Sequence, residues 1–410
     1  MHYWFVESAT DPANAPLAFW TNGGPGCSGL IGFLTEQGPF RPQADGSLLM
    51  NEYAWNSVAN MVFIEQPCGV GFSYSDEKDD LSNDDAGAAL DNYNLIQAFI
   101  VRFPEYATNS LYITSESYGG HYMPTLAKEI VDKNKAGGNP TLNFKGFAVG
   151  NPYTTFYSAI PSGFVTLWGH QMVAKPTYDK FSSNCIGAGK DFNLTICETL
   201  MMEMYYEVGP DINHYALDYP VCVADERASR GRGQRNWFFR ALTSKFSDKF
   251  KKTLKLEPDS AYEPCTDDYA TTYLNRADVK AALHVKDSIT WGECGGVKYS
   301  QTDSWNSMTP IYKYLIDGGF GLNILVYSGD DDDVCPTEGS QSWIWDLGYR
   351  VSSKWRAWSV ASQTAGYLTK WSSAKLAFAT VHGAGHEVPT YKPAQALALI
   401  TSYFKGELTN

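Results

Sequence analysis

The stretch Leu111-Tyr-Ile-Thr-Ser-Glu-Ser-Tyr-Gly-Gly-His-Tyr122 joins a short apolar run to a turn built from small residues. A strand, a sharp turn with small residues two positions either side of a serine, and a helix together expose that serine as a nucleophile. Ser117 fits, with Gly119 two residues after it and Ser115 two before, where the pattern has glycine. Ser115 fits no such turn, because Glu116 follows it and Ser117 occupies its +2 position. A serine hydroxyl needs a base, and the base needs a group that orients it. Downstream, Gly329–Pro336 supplies four aspartates, Asp330 to Asp333, and Gly383-Ala-Gly-His386 supplies a loop histidine. His382 competes as the base, but it abuts a strand end and reads as structural. A run of aspartates can also be a solvated or cation-binding loop. The staggered ligands and terminal Glu of a calcium loop are missing, so no metal is expected. Glu116 poses its own question, since a carboxylate beside a nucleophile opposes any anion forming there.

The elements that must position these groups are apolar runs ending in polar loops. Leu17–Trp20 leads into Asn22-Gly-Gly-Pro-Gly-Cys27, Asn60–Ile64 into Glu65-Gln-Pro67, and Phe144–Val149 into Gly150-Asn-Pro152. Leu322–Tyr327 leads into the aspartate run and Leu376–Val381 into the His386 loop. Helical periodicity marks Ala86–Arg102, Pro124–Asn134 and a closing Ala394–Phe404. This alternation predicts an α/β fold, a mostly parallel central sheet flanked by helices. The interval 152–305 differs, holding five of the eight cysteines, the sequon at Asn193 and a basic run. It reads as a large cap insertion between core segments 1–151 and 306–410.

With 410 residues, 44% of them hydrophobic, and a net charge of −13, the chain is a large acidic globular protein. That balance argues against nucleic acid as a partner. No apolar run is long enough to span a membrane. Ten Lys/Arg against two acids between Glu226 and Lys255 make one locally basic segment. No cysteine pair has C-x-x-C spacing, so a zinc site is not expected. An even cysteine count and the sequon Asn193-Leu-Thr195 favour a secreted or vacuolar/lysosomal protein. The opening Met1–Ser8 has no signal peptide and reads as the inside of a strand, so a leader and some mature N-terminus are expected to be missing.

At this point several motifs resemble, in order, those of the serine carboxypeptidases. They are Asn22-Gly-Gly-Pro-Gly-Cys-Ser28, Glu116-Ser-Tyr-Gly-Gly-His-Tyr122, Gly150-Asn-Pro152, Tyr273–Val279, Gly329-Asp-x-Asp332 and Gly383-Ala-Gly-His-Glu-Val-Pro389. The resemblance implies an α/β-hydrolase fold with a cap insertion and no cofactor. It implies removal of C-terminal amino acids from peptides and proteins through an acyl-enzyme, favoured at acidic pH. Ser117 matches the nucleophile, His386 the base, and Asp332 the orienting carboxylate, leaving Asp330, Asp331 and Asp333 as loop residues. The amides of Gly24 and Tyr118 match the oxyanion hole. Asn22, Gly23, Glu36 and Glu116 match the site that grips the substrate's terminal carboxylate. Two close carboxylates cannot both ionise cheaply, so one would hold a proton and donate a hydrogen bond to the substrate's carboxylate.

The family pattern also implies the disulfides Cys27–Cys294, Cys185–Cys197 and Cys222–Cys265. Cys335 would be a free thiol near the substrate's side chain. Cys68 and Cys335 are expected free, a fourth disulfide being the alternative. Arg227–Arg235 reads as a solvated loop, with proteolytic nicking as the alternative. Trp343–Trp358 reads as core, and Glu387 hints at tolerance of basic side chains. The competing functions are an acyltransferase of the same fold and a stabilising partner of other hydrolases. Retention of Asn22 and Glu116 disfavours the first, and the intact Ser, Asp and His set disfavours the second. The expected assembly is a monomer or homodimer.

Overall fold

The computed structural model describes residues 1–138, 140–186, 193–222 and 262–409. The basic run at 227–235 lies outside the described residues.

A nine-stranded sheet forms the centre. In chain order its strands are β1 (Tyr3–Val6), β2 (Leu17–Thr21), β3 (Asn60–Ile64), β4 (Leu111–Glu116), β5 (Phe144–Gly150), β6 (Asn323–Gly329), β7 (Ser353–Val360), β8 (Gln363–Trp371) and β9 (Leu376–Val381). Their spatial order is β1-β3-β2-β4-β5-β6-β9-β8-β7. The six strands from β3 to β9 run parallel, while β1, β8 and β7 are antiparallel additions at the edges. Strand residues point alternately to the two faces. Phe19, Ile113, Val149 and Val326 therefore pack under one layer of helices, while Trp20, Tyr112, Ala148 and Leu325 pack under the other. Both faces are covered, which is why β2, β3 and β4 are apolar throughout rather than alternating.

On the first face lie α1 (Asp85–Arg102) and α2 (Gly119–Lys135). Asp84 caps α1 by accepting the Gly87 N–H at 2.7 Å. Helix α2 starts five residues earlier than the periodicity suggested. The chain instead enters the helix directly from the Ser117 turn, and Pro124 stands inside it. The final helix, Pro393–Phe404, covers the second face.

Helix α3 (Phe156–Gly169) opens the predicted cap. With Val173, Phe181, Leu200, Met204 and Leu217 it buries a separate small core around Cys185–Cys197. Farther along, Ala270, Leu274 and Trp291 join the second face of the main sheet. The three disulfides that the family pattern implied are present, and Cys68 and Cys335 are free. Asn193 is exposed, its side-chain oxygen capping the helix Leu194–Val208. Of the tryptophans read as core, Trp343 is buried, but Trp345 and Trp355 are exposed. Trp355 stacks flat on Tyr367 on the β7–β8 hairpin.

Candidate active site

Strand β4 ends at Glu116, and the next residue turns the chain. Ser117 has φ of +59°, a left-handed conformation that costs a non-glycine residue free energy. Three backbone hydrogen bonds hold it. Its N–H donates to Gly150 O at 3.0 Å, and its carbonyl accepts from Gly120 and Tyr153 at 2.9 and 2.8 Å. Ser115 stands where the turn pattern has glycine, and the structure accommodates it without crowding. Its hydroxyl donates to Thr21 O on β2 at 2.7 Å and accepts from the Thr21 hydroxyl at 3.1 Å. The compensation is at Gly119, where any Cβ would meet the Ser115 hydroxyl at 2.2 Å.

Around Ser117 one cleft gathers Asn22, Gly23, Gly24, Glu116, His386 and Glu387, joined by Tyr215 and Val334. Gly23 lets its loop press against the turn, since a Cβ there would lie 2.5 Å from Tyr118 N. Neither the Gly24 nor the Tyr118 amide is used in hydrogen bonds among the described residues. Both therefore remain available to an oxygen in the cleft.

His386 is buried, and its Nδ1 lies 2.7 Å from Asp332 Oδ2. Its Nε2 has no hydrogen-bond partner among the described residues. Asp332 is fully buried and accepts from the amides of Val334 (2.8 Å) and Cys335 (3.1 Å) and from Asn151 Nδ2 (2.8 Å). Asn151 also accepts the Gly329 N–H at 2.8 Å, so it pins both ends of the aspartate loop. The Gly150-Asn-Pro152 motif signalled this position but not its job. Of the four aspartates, Asp332 is the one hydrogen-bonded to His386. His382, the rival base, pairs at 2.8 Å with Asp330 and is largely exposed. A further buried pair, His121 with Asp85, lies on α2 and α1 and does not line the cleft.

Glu116 and Glu36 face each other through Asn22. Asn22 Nδ2 donates to Oε1 of each at 2.9 Å. The amide is oriented by Trp20 Nε1 and the Gly32 N–H, which donate to its oxygen at 2.7 and 3.0 Å. Both carboxyls are buried. Burial first, then the charges of Glu36 and Glu387, hold the Glu116 carboxyl well above the usual carboxylate range. A hydrogen bond between Glu116 and Glu36 raises it further, and Asn22 opposes. The Arg41 guanidinium donates to the carbonyls of Thr35 and Glu36 at 2.5 and 2.7 Å. Burial and the neighbouring carboxylate therefore both favour the protonated form of Glu116.

Cys335 is buried, and its thiol meets the Ser117 side chain; burial pushes it well above its ordinary range. Cys68 lies elsewhere, in an open groove of about 1050 Å³ lined with Asp79, Asp80, Asp84 and Asp91. The described histidines and carboxylates of the cleft do not form a metal-ligand cluster. Tyr215 went unnoticed in the sequence. It stands edge-on to His386, ring centroids 4.8 Å apart, and comes from the insertion, where no local pattern marks it.

The family model described as serine carboxypeptidase matches residues 1–406. Serine carboxypeptidase 24 of Arabidopsis thaliana is 37% identical over 418 residues, covering 99% of this chain and 86% of the relative. Serine carboxypeptidase-like 33 of the same plant is 37% identical over 415 residues, covering 99% and 85%. Among solved structures, KEX1(DELTA)P, a prohormone-processing carboxypeptidase from Saccharomyces cerevisiae, superposes with a TM-score of 0.78 at 21% identity. That match covers 99% of this chain and 86% of the other, and it shares the α/β-hydrolase fold.

Proposed function

Because the chain belongs to the serine carboxypeptidase family and is thus a hydrolase of C-terminal peptide bonds, we propose that Ser117, His386 and Asp332 are its catalytic residues. The single observation that carries this reading is the His386–Asp332 bond at 2.7 Å, with the unpartnered Nε2 of His386 in the same cleft as Ser117. Ser117 Oγ attacks the last peptide carbonyl, and His386 Nε2 takes its proton. Asp332 holds the ring through Nδ1 and stabilises the imidazolium. The Gly24 and Tyr118 amides receive the oxyanion. His386 then protonates the departing amino acid, and water cleaves the acyl-enzyme by the same route.

Exopeptidase selectivity comes from the Glu116, Glu36 and Asn22 group. A substrate that ends in a carboxylate meets a protonated carboxyl and an amide rather than a cation. The grip weakens as the pair ionises, so the reaction is favoured in acid, as suits a secreted, vacuolar or lysosomal setting. Cys335 borders the same site, so a mercurial should inhibit. Ser117→Ala and wild type, given N-blocked dipeptides from about pH 4 to 8, test the reading. Wild type should release the C-terminal amino acid and the variant should not. Equal release by the two would overturn it.

A further inference from the structure

Three of the four consecutive aspartates are left over by this mechanism, yet two of them are buried almost as deeply as Asp332. Asp331 is 2% and Asp333 3% exposed. A buried ionised carboxylate is tolerated only when paired and hydrogen-bonded. The fold supplies each aspartate with its own histidine. Asp330 takes His382 at the rim and Asp332 takes His386. Asp331 lies 3.2 Å from His170 Nε2, and Asp333 lies 2.9 Å from His214 Nδ1.

The last two histidines come from the insertion, His170 at the end of α3 and His214 just before Tyr215. Thr166 O faces His170 Nδ1 at 2.9 Å, so both ring nitrogens face acceptors, an arrangement that favours the protonated ring. Hydrogen bonding to Asp331 is the main reason its pKa is raised to about 9. Asp331 also accepts the Asp218 N–H at 3.1 Å. Backbone bonds tie the same segment down. Leu217 N–H donates to Asp331 O at 2.9 Å, Asp333 N–H to His214 O at 3.2 Å, and His386 N–H to Tyr215 O at 2.6 Å. One stretch, 214–218, thus braces the aspartate loop and the histidine loop together. The amides that hold Asp332 belong to Val334 and Cys335, directly after Asp333. A backbone shift at Asp333 would carry both donors with it.

We propose that His170 and His214 are positioning residues for the reaction, clamping the two neighbours of Asp332 so that its carboxylate stays aimed at His386. The inference rests on the assignment of Asp332 and His386 above. The substrate grip lies on other residues, so the effect belongs in kcat rather than KM.

The test compares His214→Ala with His214→Asn, which keeps a donor near the Nδ1 position, and His170→Ala with His170→Gln, which keeps one near Nε2. Active-site titration of Ser117 corrects for unfolded protein. Each alanine variant should lose about tenfold or more in kcat per titrated site, KM being unchanged, because small misplacements of catalytic groups cost that much. Each conservative variant should recover most of it. Wild-type kcat in folded alanine variants, or parallel changes in kcat and KM, would overturn the proposal. Should His214→Ala not fold, His214→Gln replaces it. Its donor sits one bond farther out, so it should fall below His214→Asn, and equal kcat values would overturn the proposal. Asp332→Asn is assayed alongside. Full activity there defeats the triad itself, whereas an inactive Asp332→Asn with unaffected histidine variants defeats only the clamp.

Discussion

Two groups of buried acids serve one cleft and are stabilised in opposite ways. In the aspartate run each carboxylate faces its own histidine. Glu116 and Glu36 instead share a bond with each other and with Asn22. The first arrangement keeps negative charge, which an orienting carboxylate must have. The second keeps a proton, which an acid must have to bind an anion. Residue type is nearly the same in both groups; the partner decides the chemistry.

The largest way to break this contrast is to neutralise the ionised member. Asp332→Asn should lower kcat by roughly 10³- to 10⁴-fold with little change in KM, because the His386 tautomer and imidazolium lose their partner. Steady-state kinetics on an N-blocked dipeptide check it. On the other side, Glu116→Gln keeps the shape and loses the shared proton. It should raise KM in acid by roughly 10- to 100-fold, the worth of one hydrogen bond to a charged group. It should also flatten the acid preference. A pH series on acid and C-terminally amidated substrates reads this, since the discrimination between them should shrink.

A third prediction concerns stability. Burial is the first cause that raises Asp333 to about 6. The unfolded chain has the ordinary value near 4, so it releases this proton first as pH rises. The corresponding stability is present below about pH 4 and lost as pH passes through 6, on the order of 2–3 kcal/mol. Glu116 acts with the same sign. His170, raised to about 9, contributes stability below its unfolded value near 6.5 that is lost toward pH 9. Melting temperature should therefore fall from about pH 4 upward. Asp333→Asn should flatten the lower part of that slope. The smallest effect is at the turn. Ser115→Ala removes the bond to Thr21 O and should cost about 1 kcal/mol, with kcat nearly unchanged. Thermal unfolding and the standard assay decide.

Much of the site was legible because the chemistry sits at strand ends. Ser117, the Asn22 loop, the aspartate run and His386 each follow an apolar run, and the structure brings Ser117, the Asn22 loop and His386 around one cleft, with Asp332 bonded behind His386. The antiparallel β7–β8 hairpin was missed because its exposed tryptophans read as core. His170, His214 and Tyr215 were unreadable for a different reason. They lie in the insertion, far along the chain from the loops they touch, and no period or spacing encodes a contact of that range.

By itself, then, the order of residues determined the layered sheet, the turn at Ser117 and the set of acids and bases that could meet there. These depend on side-chain periodicity and on glycine and proline at short range. The resemblance picked Asp332 from the run; only the tertiary structure decided that Asp331 and Asp333 are buried against His170 and His214, and that burial raises Glu116. Those properties depend on desolvation and on partners brought from distant segments, and both arise only once the chain has closed around them.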